Sequence, residues 1–316
     1  MNYENGSTEQ VVLLLGRGWF PVPIKIMNIL NYLILLLVSF LMACGGAGDG
    51  PDSVAFECDN PTTENIEYMG YYWGMSHAYG NFADSISEYT NMVNIHIDGA
   101  WEANADMMEE AIEKGMAPLP YIDTRAIFLD SNWQRSPHPN MAVWDKFVET
   151  MTPYVDDIAG FYVFDEPYIY NIPVEDQEWI ISYFNKAFPG VPTWSTFASY
   201  DSPIPSNLDI VSATPLYGKI NGAQYNGYLK RLEANMYPHQ RLAITMDAYN
   251  STSYISVSTE EWKADMAQEY FEIAKCNPRV MTLYIFVIMS WDDHLGVESM
   301  PILEAELQSI WDELNL

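Results

Sequence analysis

The feature that most constrains this chain is a beat struck eight times. A short run rich in β-branched and aromatic residues ends in polar or aromatic side chains, and in most cases a stretch with helical spacing follows. The runs are YMGYYWG (68–74), MVNIHIDG (92–99), APLPYIDT (117–124), AGFYVFDE (159–166), VPTWSTFAS (191–199), LDIVSATPLY (208–217), RLAITMDAY (241–249) and VMTLYIFVIMSW (280–291). Between them, Trp179, Ile180, Tyr183, Phe184 and Phe188, or Trp262, Met266, Tyr270 and Ile273, recur at the three-to-four spacing of an amphipathic helix. Strands alternating with helices indicate a parallel sheet. Eight such units over about 250 residues match a single-domain α/β (β/α)8 TIM barrel. An open doubly wound sheet is the competitor, but no glycine-rich phosphate turn follows the first run.

Two connections depart from the beat. YDSPIPSN, between the fifth and sixth strands, is too short and proline-rich for a full helix. Arg125 to Asn140, after the third strand, is long before its helix begins and suits a loop over an active site. The helix before the eighth strand is expected to open at Ser258, with Glu260 and Glu261 in its first turn.

The N-terminus is set apart from this pattern. Asn31 to Cys44 is apolar, too short for a spanning helix and of the length of a signal-peptide core. It closes on Leu41-Met42-Ala43-Cys44 followed by glycines, which resembles the lipobox of bacterial lipoproteins. That resemblance implies lipidation at Cys44 and an exported, membrane-anchored protein, periplasmic or at the cell surface. Translation from Met27 would leave residues 1–26 as an extension. The expected organisation is then residues 1–43 as leader, 44–66 as tether and lead-in, and 67–316 as barrel. With Cys44 lipidated, Cys58 and Cys276 are left as a candidate disulfide. They precede strands one and eight, which must be neighbours when a barrel closes.

A formal charge of -29 argues against nucleic acid or a polyanionic substrate. In a barrel the chemistry gathers at the C-terminal ends of the strands. Those ends carry Trp73 and His77, His96 and Asp98, Tyr121 and Asp123, Asp165 and Glu166, Trp194, Tyr217, Asp247, and Trp291 with Asp292 and Asp293. Carboxylates among aromatic faces suit glycosidic cleavage, which needs one acid to protonate the leaving oxygen and a second carboxylate to attack, activate water or stabilise charge. No nucleophile elbow and no metal-ligand spacing occur, so neither a metal nor a cofactor is expected.

Strand four, FYVFDEP, resembles the fourth strand of glycoside hydrolase TIM barrels, whose final glutamate is the general acid/base. The resemblance implies that role for Glu166, and it leaves two subtypes open. In retaining β-glycosidases Asp165 would replace an asparagine at the sugar 2-hydroxyl, Trp291 would floor the subsite, and Asp247 would stand where the nucleophilic glutamate belongs, one methylene shorter. In N-acetylhexosaminidase-like enzymes Asp165 would orient the substrate's own acetamido group. The remaining strand-end residues, Trp73, His96, Asp98, Tyr121, Asp123, Trp194, Tyr217 and Asp292, would contact the sugar. The expectation is a monomeric hydrolase of a neutral or amino-sugar-containing oligosaccharide or polysaccharide; a non-catalytic glycan-binding lipoprotein on the same scaffold is the alternative.

Overall fold

The computed structural model describes residues 10–15, 18–23, 58–76, 80–214, 222–248, 250–251, 259–286 and 294–316. In the N-terminal unit, Met1–Gly50, the strands Gln10–Leu15 and Gly18–Pro23 pair antiparallel. The apolar stretch 31–44, including Cys44, lies outside the described residues.

The second unit, Pro51–Leu316, holds a closed barrel of eight parallel strands. They are β1 (Tyr68–Ser76), β2 (Met92–Ile97), β3 (Ala117–Ile122), β4 (Phe161–Asp165), β5 (Thr193–Phe197), β6 (Ile210–Ala213), β7 (Arg241–Asp247) and β8 (Val280–Phe286). Each pairs with the next, and β8 closes on β1 through the register Thr282↔Tyr68 to Ile285↔Tyr71. Each of the eight sequence runs therefore falls on one strand, β1 continuing two residues past its run.

The main helices are α1 (Trp101–Glu113), α2 (Met141–Met151), α3 (Val174–Ala187), α4 (Gly222–Ala234), α5 (Glu260–Cys276) and α6 (Pro301–Leu314). A single turn, Ala83–Ile86, serves between β1 and β2, and the link from β5 to β6 contains no helix. Helix α5 is capped one position later than its pattern suggests. The side chain of Thr259 accepts from Trp262 N, because Thr259 holds the extended backbone a cap requires.

Two cores result. Outside the barrel, strand residues meet the apolar stripes of the helices: Phe161 packs on Phe147, Phe184 and Phe188, and Phe184 on Trp144. Each such buried side chain contributes about 1.5–3 kcal/mol. Inside, the barrel is filled by aromatic residues, with Tyr72, Tyr121, Tyr162, Trp194 and Tyr284 in one buried cluster. Cys58, ahead of β1, and Cys276, at the end of α5 and ahead of β8, are joined by a disulfide with Cα atoms 5.6 Å apart.

Candidate active site

The site is built on β4. Its entry is fixed by Gly160, whose φ of +150° lies where side chains are disfavoured. A Cβ there would come within 2.5 Å of Trp194 Nε1 and 2.6 Å of Pro192 O. The pairing of β4 with β5 then shifts register between Tyr162 and Phe164. Strict alternation would put Asp165 on the face opposite Tyr162. The irregularity turns it inward instead, a common use of a bulge beside an active site.

Within the barrel mouth, Tyr72 Oη donates to Asp165 Oδ2 at 3.0 Å, and Tyr162 Oη lies 3.1 Å from Asp165 Oδ1. Tyr162 Oη is also 2.5 Å from Thr196 Oγ1. A phenol has one proton, so a consistent chain runs from the Thr196 hydroxyl to Tyr162 and from Tyr162 to the carboxylate. Burial lifts both phenols well above their usual range, so they remain donors. Burial also raises the Asp165 carboxyl, opposed by the two phenols and by Arg125. Two donors that cannot give up their protons favour the ionised form of Asp165.

Glu166 is placed differently. Its φ of +47° is uncommon for a residue with a side chain, and it is held by Glu166 N donating to Thr196 O and Ile169 N donating to Glu166 O. Among the described residues its carboxyl has no hydrogen-bond or ion-pair partner. Burial first, and the charge of Asp165 second, push it up to about 7. Burial thus pushes both adjacent carboxyls up, but only Asp165 has phenol donors and a nearby guanidinium opposing the rise, so the two neighbours sit in chemically different surroundings.

The other expected residues divide. His96 and Tyr121 lie side by side with ring centroids 5.5 Å apart, and burial lowers His96 toward its neutral form against the pull of Asp98 and Asp123. Asp98 Oδ1 accepts from Ala100 N in its own loop. Asp123 caps the helical turn Thr124–Phe128 and pairs with Arg125 at 2.8 Å, so its carboxylate is engaged locally. Trp194 does not line the cleft. It is fully buried in the barrel, facing Tyr162 in register and two residues below Thr196, which is the β5 residue that reaches the mouth. Tyr121, buried against Tyr162, likewise belongs to the layer beneath the rim. The side chain of Trp73, together with His77, Tyr217, Trp291, Asp292 and Asp293, lies outside the described residues.

Asp247, at the end of β7, is paired with Lys263 of α5. Lys263 Nζ donates to Asp247 Oδ2 at 3.1 Å and to its carbonyl oxygen at 2.9 Å. Both side chains are nearly enclosed, 5% and 13% exposed for Lys263 and Asp247. Burial raises the Asp247 carboxyl while Lys263 opposes it, and Oδ1 is buried with no partner among the described residues.

Sequence reasoning missed Tyr72, Tyr162, Thr196 and Lys263. The tyrosines are indistinguishable in sequence from the rest of an aromatic barrel filling. Lys263 left a signal: it shares the buried face of α5 with Ala267 and Tyr270, a cation at an apolar position. Among the described residues no three His, Cys, Asp or Glu side chains converge to hold a metal.

Fold and site together define a closed parallel barrel with a paired carboxyl site at the C-terminal end of β4. No family model and no curated protein matches the chain. Solved structures do. Native xylanase 10B from Thermotoga maritima is similar over 79% of this chain and 97% of its own, at 12% identity and a TM-score of 0.51. A GH113 β-1,4-mannanase is similar over 78% of this chain and 98% of its own, at 12% identity and a TM-score of 0.53. An uncultured Clostridium sp. β-glucuronidase is similar over 78% of this chain but only 50% of its own, at 11% identity and a TM-score of 0.55. These neighbours are glycoside hydrolases, and at such identities the likeness is one of fold.

Proposed function

We propose that the chain is a glycoside hydrolase acting on a neutral or amino-sugar-containing glycan, exported and tethered through lipid on Cys44. Glu166 gives its proton to the glycosidic oxygen as the bond to the leaving sugar breaks. Asp165, which accepts hydrogen bonds from Tyr72 and Tyr162, stabilises the developing positive charge or orients an acetamido group. Asp247, at the C-terminal end of β7, is the candidate second carboxylate. The observation that carries this reading is the Glu166 carboxyl, lifted to about 7 and without a partner among the described residues, beside a carboxyl gripped by two phenols. A general acid needs a proton near neutral pH, and a structural carboxylate at a strand end does not.

The test is hydrolysis of aryl glycosides and of xylan, mannan and chitin oligosaccharides by the wild type and by Glu166→Gln. Turnover by the wild type should fall at least a hundredfold in the variant. Undiminished turnover would remove Glu166 from the acid's role. Turnover confined to 2-acetamido sugars would favour the substrate-assisted route, and turnover of plain sugars would favour attack by a carboxylate such as Asp247.

One observation favours a second reading, a glycan-binding lipoprotein without turnover. Asp247 is neutralised by a buried ammonium, which weakens it as a nucleophile. Binding of glycans with no products released would select that reading.

A further inference from the structure

The long connection after β3 carries a feature the catalytic reading does not use. Leu129 and Arg135 bridge antiparallel, and the turn between them presents Trp133, 37% exposed, at a φ of +60°. A bulky aromatic in that region is strained; Gly or Asn would form the same turn at less cost. The turn is tightly determined around it. Asp130 Oδ1 accepts from Asn132 N and Gln134 N, Asp130 N donates to Gln134 O, and Trp133 N donates to Asp130 O. Arg135 anchors the far side, paired with Asp176 at 2.8 Å and lying 4.5 Å over the Trp179 ring. A rigid loop that holds an exposed indole in a costly conformation serves something outside itself.

Its neighbours say where. The Trp133 ring lies 4.9 Å from that of Tyr170, four residues beyond Glu166, and the Arg125 guanidinium lies over both rings at 5.5 and 4.3 Å. Arg125 is within electrostatic reach of Asp165. Ile169, beside Tyr170, is 49% exposed, so two of the large apolar side chains most open to water among the described residues flank this side of the site.

Building on the hydrolase reading, we propose that Trp133 and Tyr170, with Arg125 packed against them, form a sugar-stacking platform that takes a ring of the glycan beyond the cleaved bond, making the substrate an oligosaccharide or polysaccharide. The ring docked there is neutral, because the Arg125 charge is already met by Asp123. The stacking surface is the apolar face of a pyranose against an aromatic face, with the guanidinium filling the space behind.

The decisive variant is Trp133→Asn, since Asn tolerates positive φ and keeps the turn while removing the ring. In the Glu166→Gln background, xylo-, manno- and chito-oligosaccharides of two and five units are titrated calorimetrically with and without Trp133→Asn. The expected result is tighter binding of the longer member of one series, and loss of that advantage by about tenfold (~1.4 kcal/mol) in Trp133→Asn, with an unfolding midpoint no lower than the parent's. A purely structural tryptophan would lower the midpoint and leave the length dependence intact, which overturns the proposal, as does absence of binding in all three series. Wild-type turnover without a Trp133-dependent length effect sinks the platform and leaves the hydrolase standing. Trp133-dependent binding without turnover does the reverse.

Discussion

Removing the ionisable group at Glu166 tests the site through stability as well as rate. The carboxyl is lifted from its ordinary 4.5 to about 7 by burial and by Asp165. The folded protein therefore binds a proton between those values that the unfolded chain has already released. Stability linked to Glu166 is fully present below pH 4.5 and is lost as pH rises through 7. At ~1.36 kcal/mol for each tenfold difference in proton affinity, the loss is about 3 kcal/mol. Glu166→Gln cannot ionise, so it escapes this loss. At pH 4 wild type and variant should unfold at similar midpoints, while at pH 8.5 the variant should be more stable by about 3 kcal/mol, or roughly 5–6 °C for a chain of this size. Thermal unfolding followed by circular dichroism at both pH values reads the difference directly. A variant that stays parallel to wild type across this range would mean that Glu166 is ionised in solution at its ordinary value, and the case for a proton donor would fall with it.

Three further outcomes follow from the same geometry. Asp165→Asn removes the charge that helps raise Glu166, so any fall in kcat/KM above neutrality should move to lower pH, and an unmoved alkaline limb would separate the two carboxyls. Lys263→Met leaves Asp247 buried without its cation and should cost about 3–5 kcal/mol in denaturant unfolding, whereas a cost under 1 kcal/mol would place Asp247 in water. The Cys58–Cys276 disulfide spans 218 residues, and replacing both cysteines with alanine should lower stability by up to about 5 kcal/mol, since a loop of that length leaves the unfolded chain with much more freedom; unchanged unfolding would mean the barrel closes without the staple.

The order of strands and helices was legible because it rests on local periodicity. β-rich runs ending in polar residues and helical stripes such as Ile180, Ile181 and Phe184 are properties of short windows, and eight repeats leave few ways to bury them. The missing helix between β5 and β6 was legible for the same reason, through its prolines. The acids that close β4 stood out because carboxylates rarely interrupt an apolar strand without a task. What lay beyond reach depended on neighbours distant in the chain. Trp194 reads like a cleft aromatic, yet its position two residues below Thr196 puts it in the packed barrel layer. Asp247 reads like a free strand-end carboxylate, yet α5 delivers Lys263 onto it.

The fate of Asp165 and Glu166 shows the division most plainly. The sequence by itself placed two carboxyls at the mouth of a barrel, because strand length and polarity are written locally. Alternation alone would aim them to opposite faces. Only the tertiary structure turned Asp165 inward, through a register irregularity against β5, and brought Tyr72 from β1 and Tyr162 to its two oxygens. Proton affinity is a property of burial and of charges and donors within a few ångströms. Those neighbours, 93 residues away in the case of Tyr72, come together only when the barrel closes.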